Sequence, residues 1–162
     1  MKTFFFKPNV ANYLVGLACC LVLATAYAFE YLANLQPCVL CIYQRIPYAV
    51  AIGLMLVAAI LRKNSQFNLI LFIATSVVFA IGSAIAIFHI GVEQQLWQGT
   101  PECGNFIKTD SVEALRQQLL AQPIVRCDEV TWSLFGISMA GYNFLISTLL
   151  LLYSLVIVIQ RK

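Results

Sequence analysis

Two pairs of cysteines are the first residues whose types and spacing could do chemistry. Cys38 and Cys41 form a Cys-X-X-Cys pair within Gln36-Pro37-Cys38-Val39-Leu40-Cys41-Ile42-Tyr43-Gln44-Arg45, while Cys103 and Cys127 stand far apart in a later polar stretch. A Cys-X-X-Cys pair can open and close a disulfide without rebuilding the backbone. Such thiols often ionise below the ordinary range, which matters because the thiolate is the reacting species. The main alternative is a closed zinc site, since four cysteines can make a tetrahedral one, but only the first pair has the short ligand spacing. Two purely structural disulfides are the other. Cys19 and Cys20 lie inside an apolar run, their side chains diverging by about 100° around a helix, and read as small buried hydrophobes.

The elements that must position these thiols belong to a membrane protein. Of 162 residues, 61% are hydrophobic and 10% charged, against about 25% charged in an ordinary soluble domain. Four apolar stretches stand out: Ala11 to Phe29, Ile46 to Leu61, Leu69 to Ile90 and Met139 to Ile159. Each approaches the roughly 20 residues a helix needs to cross about 30 Å of hydrocarbon, where only helices or closed barrels satisfy the backbone. The expected fold is all-α, an integral membrane four-helix bundle in a single domain over 1–162. Its spans are expected at about 11–29, 42–61, 69–90 and 139–159, with loops at about 30–41 and 91–138.

Charge placement predicts the orientation, because short loops rich in Lys and Arg stay on the cytoplasmic side. Lys2, Lys7, Arg62, Lys63, Arg161 and Lys162 flank the spans at one end, with no acid among them. All seven acids fall in the other two loops, with Lys108, Arg116 and Arg126. Both termini are therefore expected in the cytoplasm and the four loop cysteines on the outer face, where an even set of thiols reads as disulfide chemistry. The net charge of +3 reflects this sidedness and gives no support to a nucleic-acid partner; the bilayer is the expected surroundings. A cleaved signal peptide in place of the first span would leave three spans and spoil the asymmetry.

Length arithmetic bears on the site. Ile46 to Leu61 would cover only about 24 Å at 1.5 Å per residue, so the second helix is expected to begin near Cys41 or Ile42. This draws Arg45 into the membrane edge, where an arginine is costly and marks a candidate site, unless it snorkels to headgroups. One turn from Cys41, its guanidinium could favour a thiolate and bind the carbonyl of an electron acceptor dissolved in the bilayer, a quinone. Pro47 near the start of the span could widen the site by a kink.

In the second loop, Asp110 and Glu113 resemble a capping box, and Ser111 to Ala121 is expected as a short amphipathic helix on the outer surface, ended by Pro123. His89 and Glu93 share a face if their helix continues past Gly91. His89 could relay a proton or serve as an interfacial hydrogen-bonding group. Trp97 and Trp132 are ordinary for an interfacial aromatic belt.

Taken with the second pair and the segment Cys127-Asp128-Glu129 through Trp132 to Met139, the run Pro37 to Arg45 resembles the DsbB family, and the likeness extends along nearly the whole chain. His89-Ile90-Gly91-Val92-Glu93, followed by Trp97 and Cys103, is similar to shorter members. The resemblance implies a thiol oxidase of the bacterial inner membrane that reoxidises a periplasmic DsbA-like dithiol protein and passes electrons to ubiquinone or menaquinone. It implies that Cys103 and Cys127 form the disulfide facing the partner, that Cys127 once released attacks Cys38, and that Cys41 is left as a thiolate against the quinone. Arg45, His89, Trp132 and Met139 match positions that hold the quinone; packing or lipid contact would also account for Met139. Gln44 departs from the pattern, standing where the best-known members carry Glu. Two competing readings are a membrane protein stapled by structural disulfides and an enzyme of the vitamin K epoxide reductase type, whose redox pair lies near the end of a later span.

Overall fold

The computed structural model describes residues 8–61, 64–101, 103 and 125–160. The expected amphipathic helix at Ser111 to Ala121, Pro123 and the six flanking cations lie outside them. Four long helices follow one another: α1 (Pro8–Tyr31), α2 (Val39–Ile60), α3 (Ser65–Glu93) and α4 (Met139–Gln160). All four are long and apolar enough to cross a membrane. The shortest have 22 residues, about 33 Å of helix.

The burial pattern is that of a bundle in lipid. Large apolar side chains such as Leu21, Ile60, Leu149 and Ile159 face outward, while Asn68, Thr75, Ser147 and Ser154 are buried between helices. Without a hydrophobic force between helices in lipid, small and polar residues at the interfaces supply close packing and hydrogen bonds. Thr75 and Ser76 satisfy themselves by donating to the carbonyls of Leu71 and Phe72 in the preceding turn. Cys19 is buried in the core with Tyr48 and Met55, and Cys20 is exposed on the outer surface, as their angular divergence on one helix requires.

Helix ends are set locally. Pro8 starts α1, where its missing N–H is harmless. Cys38 caps α2: its Sγ accepts the Cys41 backbone N–H at 3.3 Å, satisfying one of the first-turn donors. The helix thus begins at Val39, ahead of the expected Cys41 or Ile42, and Pro47 falls in its third turn rather than near its start. There its ring packs on Gly82 of α3, where a Cβ would come within 3.2 Å. Helix α3 runs past Gly91 to Glu93 and closes through Gln95 at φ 58°, with Leu96 N–H donating to Gly91 carbonyl at 2.9 Å, a Schellman ending.

Trp97 then folds back on α3, its indole N–H donating to the Phe88 carbonyl at 3.0 Å and its ring stacked on Phe88. A Cβ at Gly91 would overlap that ring. A two-residue hairpin pairs β1 (Ser133–Leu134) with β2 (Ile137–Ser138) and leads into α4.

Contacts run from α1 to α2, α2 to α3 and, most extensively, α3 to α4, whereas α1 and α4 meet only slightly. That weak seam leaves a cavity of about 400 Å³, walled by α1, α2, α4 and the hairpin segment.

Candidate redox site

The four loop cysteines meet at one end of the bundle. Cys38, Cys103 and Cys127 are buried with Leu40 and Val92, with Cys41, Phe88 and Val125 packed around them. Cys103 and Cys127 are disulfide-bonded, their Cα atoms 5.1 Å apart, and Thr100 Oγ1 donates to Cys103 Sγ at 3.4 Å. Cys38 and Cys41 are free thiols with sulfurs 2.9 Å apart. A four-cysteine zinc site is not formed in this state, because two of its ligands are bonded to each other. The Cys38, Cys41 and His89 donor atoms do lie within 4.8 Å of one another, a set that suits a thiophilic cation when the pair is reduced.

The two thiols of the short pair face different surroundings. Cys38 lies on the loop side, where hydrogen bonding from the Cys41 thiol, and then from His89, draws its pKa from 9.0 down to about 5 against the opposing effect of burial. Cys41, one turn into α2, faces the cavity. Arg45, Gln44, Trp132 and Met139 share that cavity wall.

Arg45 is held by partners that the sequence did not point to. Its guanidinium is ion-paired with Glu30 at the end of α1 and lies 4.8 Å from the Tyr27 ring centroid, a cation–π distance. Trp132 packs on Phe29 and Tyr142 at centroid distances of 5.0 and 6.2 Å, closing the cavity at its loop end.

His89 does not line the cavity. It is buried behind Gln44, with Nε2 3.6 Å from Cys38 Sγ and Nδ1 2.8 Å from Gln44 Nε2. Because α3 continues past Gly91, Glu93 comes onto the same face, 3.9 Å from His89 Nε2, and accepts from Ser138 Oγ at 2.5 Å. Gln44 in turn accepts from Asn143 of α4 at 2.6 Å. Gln44 carries a signal along the chain, as the departure from the family pattern beside Arg45, but Glu30 and Asn143 carry none, since their partners are set by helix packing.

The cavity fits a flat apolar ring system with polar edges. Its volume is within the range of ligand sites, about 300–1,000 Å³, and its wall is apolar apart from a few groups, among them Gln44, Arg45 and Asn143. The arrangement joins two dithiol–disulfide pairs in one cluster and opens one of them, through Cys41, to a cavity between membrane-spanning helices.

Known proteins agree with that chemistry. A family model described as disulfide bond formation protein DsbB matches residues 8–157. An uncharacterized protein of Rickettsia prowazekii is 31% identical over 150 residues, 91% of this chain and 86% of that one. The disulfide bond formation protein B of Nitrosococcus oceani is 31% identical over 133 residues, 77% of this chain and 76% of its own, and that of a Psychrobacter species is 28% identical over 144 residues, 84% of each. With four membrane-capable helices and two cysteine pairs brought together at one end, the chain belongs to the DsbB family of disulfide-forming membrane oxidoreductases.

Proposed function

We propose that the chain is a thiol oxidase of the bacterial inner membrane, its cysteines facing the periplasm, that reoxidises a DsbA-like dithiol protein and passes the electrons to a membrane quinone. The observation that carries this reading is the single buried cluster of both cysteine pairs, with Cys41 on the wall of an apolar cavity. Supporting the orientation are the six cations, free of acids, that flank the spans away from the cysteines.

A thiolate of the partner attacks Cys103, breaking its bond to Cys127 and releasing Cys127 as a thiolate. Cys103 is 5% exposed, so the docking partner must uncover its sulfur to reach it. Cys127 then attacks Cys38 of the oxidised short pair, breaking the Cys38–Cys41 bond and leaving Cys41 as a thiolate beside the cavity. When the partner's second thiol resolves its mixed disulfide, Cys103 is freed and reclaims Cys127, which returns Cys38 as a thiolate. A quinone held in the cavity would supply the oxidising power, as acceptor of the two electrons and two protons given up when the Cys38–Cys41 disulfide is restored. Arg45, fixed by Glu30 and Tyr27, orients the acceptor's carbonyl edge, and Trp132 and Met139 close the cavity around it. Cys38 is held as a thiolate by its hydrogen bonds, ready to rejoin Cys41.

Quinone reduction by purified protein supplied with reduced DsbA tests the reading. Wild type and Cys19→Ser/Cys20→Ser turn over, and Cys41→Ser falls to background. If none of the three reduces ubiquinone or menaquinone, the oxidase reading fails. Zinc content of the reduced protein then decides whether Cys38, Cys41 and His89 hold a metal instead.

A further inference from the structure

Five polar side chains form a continuous line from α4 to the thiol pair. Ser147 Oγ lies 2.8 Å from the Tyr48 hydroxyl, which donates to Asn143 Oδ1 at 2.5 Å. Asn143 Nδ2 donates to Gln44 Oε1 at 2.6 Å, and Gln44 Nε2 meets His89 Nδ1 at 2.8 Å. The line ends where His89 Nε2 faces Cys38 Sγ at 3.6 Å and the Glu93 carboxylate at 3.9 Å. Tyr48, Gln44, His89 and Ser147 are all buried, and each finds a hydrogen-bond partner within the line.

An amide has a donor end and an acceptor end, so in such a line each bond fixes the direction of the next. Two directions are consistent with the distances. In one, Ser147 donates to Tyr48, Tyr48 to Asn143, Asn143 to Gln44, and Gln44 to the lone pair of His89 Nδ1. The neutral imidazole then carries its proton on Nε2 and presents an N–H to Cys38. In the other, both amides are turned over and the proton sits on Nδ1. That would aim the Nε2 lone pair at a thiolate and a carboxylate together, which is electrostatically unfavourable in a low-dielectric interior. Cys38, Cys41 and Glu93 are the titratable groups gathered around the ring, and the Cys41 thiol is engaged with Cys38 at 2.9 Å rather than with Nε2.

We propose that Gln44, held in one orientation by Asn143 and Tyr48, is a positioning residue that fixes His89 as the Nε2–H tautomer, so that the ring donates to the Cys38 thiolate released in each cycle. The functional part of this rests on the thiol-oxidase reading; the tautomer does not. It also gives a physical meaning to the residue at position 44. A carboxylate there accepts only, so it would demand a proton on Nδ1, whereas the glutamine amide donates to Nδ1 and leaves the proton on the sulfur side.

His89 is the sole histidine of the chain, so histidine labelled with nitrogen-15 reports on it alone. The experiment takes the full-length protein in lipid nanodiscs at pH 8, reduced and free of quinone, and reads the tautomer from the two-bond nitrogen–proton coupling pattern. Wild type shows Nε2–H. Asn143→Asp, separated from His89 by Gln44, leaves position 143 with acceptors only. Gln44 must then turn its NH2 toward Asp and its oxygen toward His89, moving the ring proton to Nδ1. Gln44→Glu moves it by direct contact. In both variants the pH below which alkylation of Cys38 slows moves up by about one to two pH units, the size expected for losing one hydrogen bond to a charged group. A wild-type ring protonated on Nδ1, or an unchanged pattern in Asn143→Asp, overturns the proposal. Quinone reduction measured on the same samples judges the oxidase reading separately.

Discussion

The two cysteine pairs differ in the length of chain that each spans. Cys38 and Cys41 are one helical turn apart at the head of α2, with Cys38 as the cap of the helix that carries Cys41. Cys103 and Cys127 are separated by 24 positions. In the chain-entropy picture a bridge of that loop length stabilises by about 3.5 kcal/mol, against about 2 kcal/mol for a four-residue ring. The short pair can therefore close across one helical turn, its sulfurs already 2.9 Å apart. Opening the long pair lifts the constraint that its separation of 24 positions imposes on the chain. What the difference teaches is that one pair is held at the head of a helix beside a cavity, whereas the other joins segments far apart in the chain.

The comparison breaks most sharply if the pairs are separated by mutation. Cys103→Ala/Cys127→Ala is expected to reduce DsbA-driven quinone reduction to background, yet to retain quinone reduction when a small dithiol such as dithiothreitol reaches the short pair directly. Thermal unfolding of the same variant should show a loss of about 3 kcal/mol. Loss of both activities together would mean that the long pair also builds the site of the short one.

The next largest effect is in pH dependence. With Cys38 drawn down to about 5, its alkylation in the reduced protein should be flat from pH 9 to about 6 and fall below about 5. An ordinary thiol would instead slow about tenfold per pH unit below its pKa. The linked stability has a definite sign. A depressed folded-state pKa stabilises the reduced protein fully above pH 9.0, and that contribution fades as pH falls through about 5. Denaturant melts of reduced wild type and Cys38→Ser should therefore converge as the solution is acidified.

Arg45 and Glu30 give a smaller effect. Both side chains are about one-sixth exposed, at 17%, so the pair lies between a surface ion pair of about 0–1 kcal/mol and a buried one of about 3–5 kcal/mol when broken. Arg45→Leu should raise the KM for quinone about tenfold, and Glu30→Gln about threefold by loosening the guanidinium. If Glu30→Gln lowers kcat at unchanged KM, the ion pair acts on the thiols rather than on the cavity.

Much of this site could be read along the chain and part of it could not, for reasons visible residue by residue. The apolar runs marked four helices because hydrophobicity sustained over about 20 residues is a local property. The side-by-side thiols of Cys19 and Cys20 had to part around one helix for the same kind of reason. The start of α2 was missed by a few residues because the Cys38 sulfur acts as the cap, a role that the usual cap residues would have announced. The family resemblance places His89 among the residues around the acceptor, whereas in the structure it lies behind Gln44 against Cys38. Its spacing from Glu93 was legible, since both stand on one helix face.

By itself, then, the sequence determined the helices, the Cys-X-X-Cys pair at the head of one of them and the membership of the DsbB family, because these depend on composition and on neighbours within a turn or two. Only the tertiary structure decided that Cys103 and Cys127 would lie against Cys38, that Arg45 would pair with Glu30, and that Asn143 would orient Gln44 from 99 positions away. Those partners come from how four helices pack, and from the seam between α1 and α4 that fails to close. Spacing along one helix does not specify which face of another it will meet.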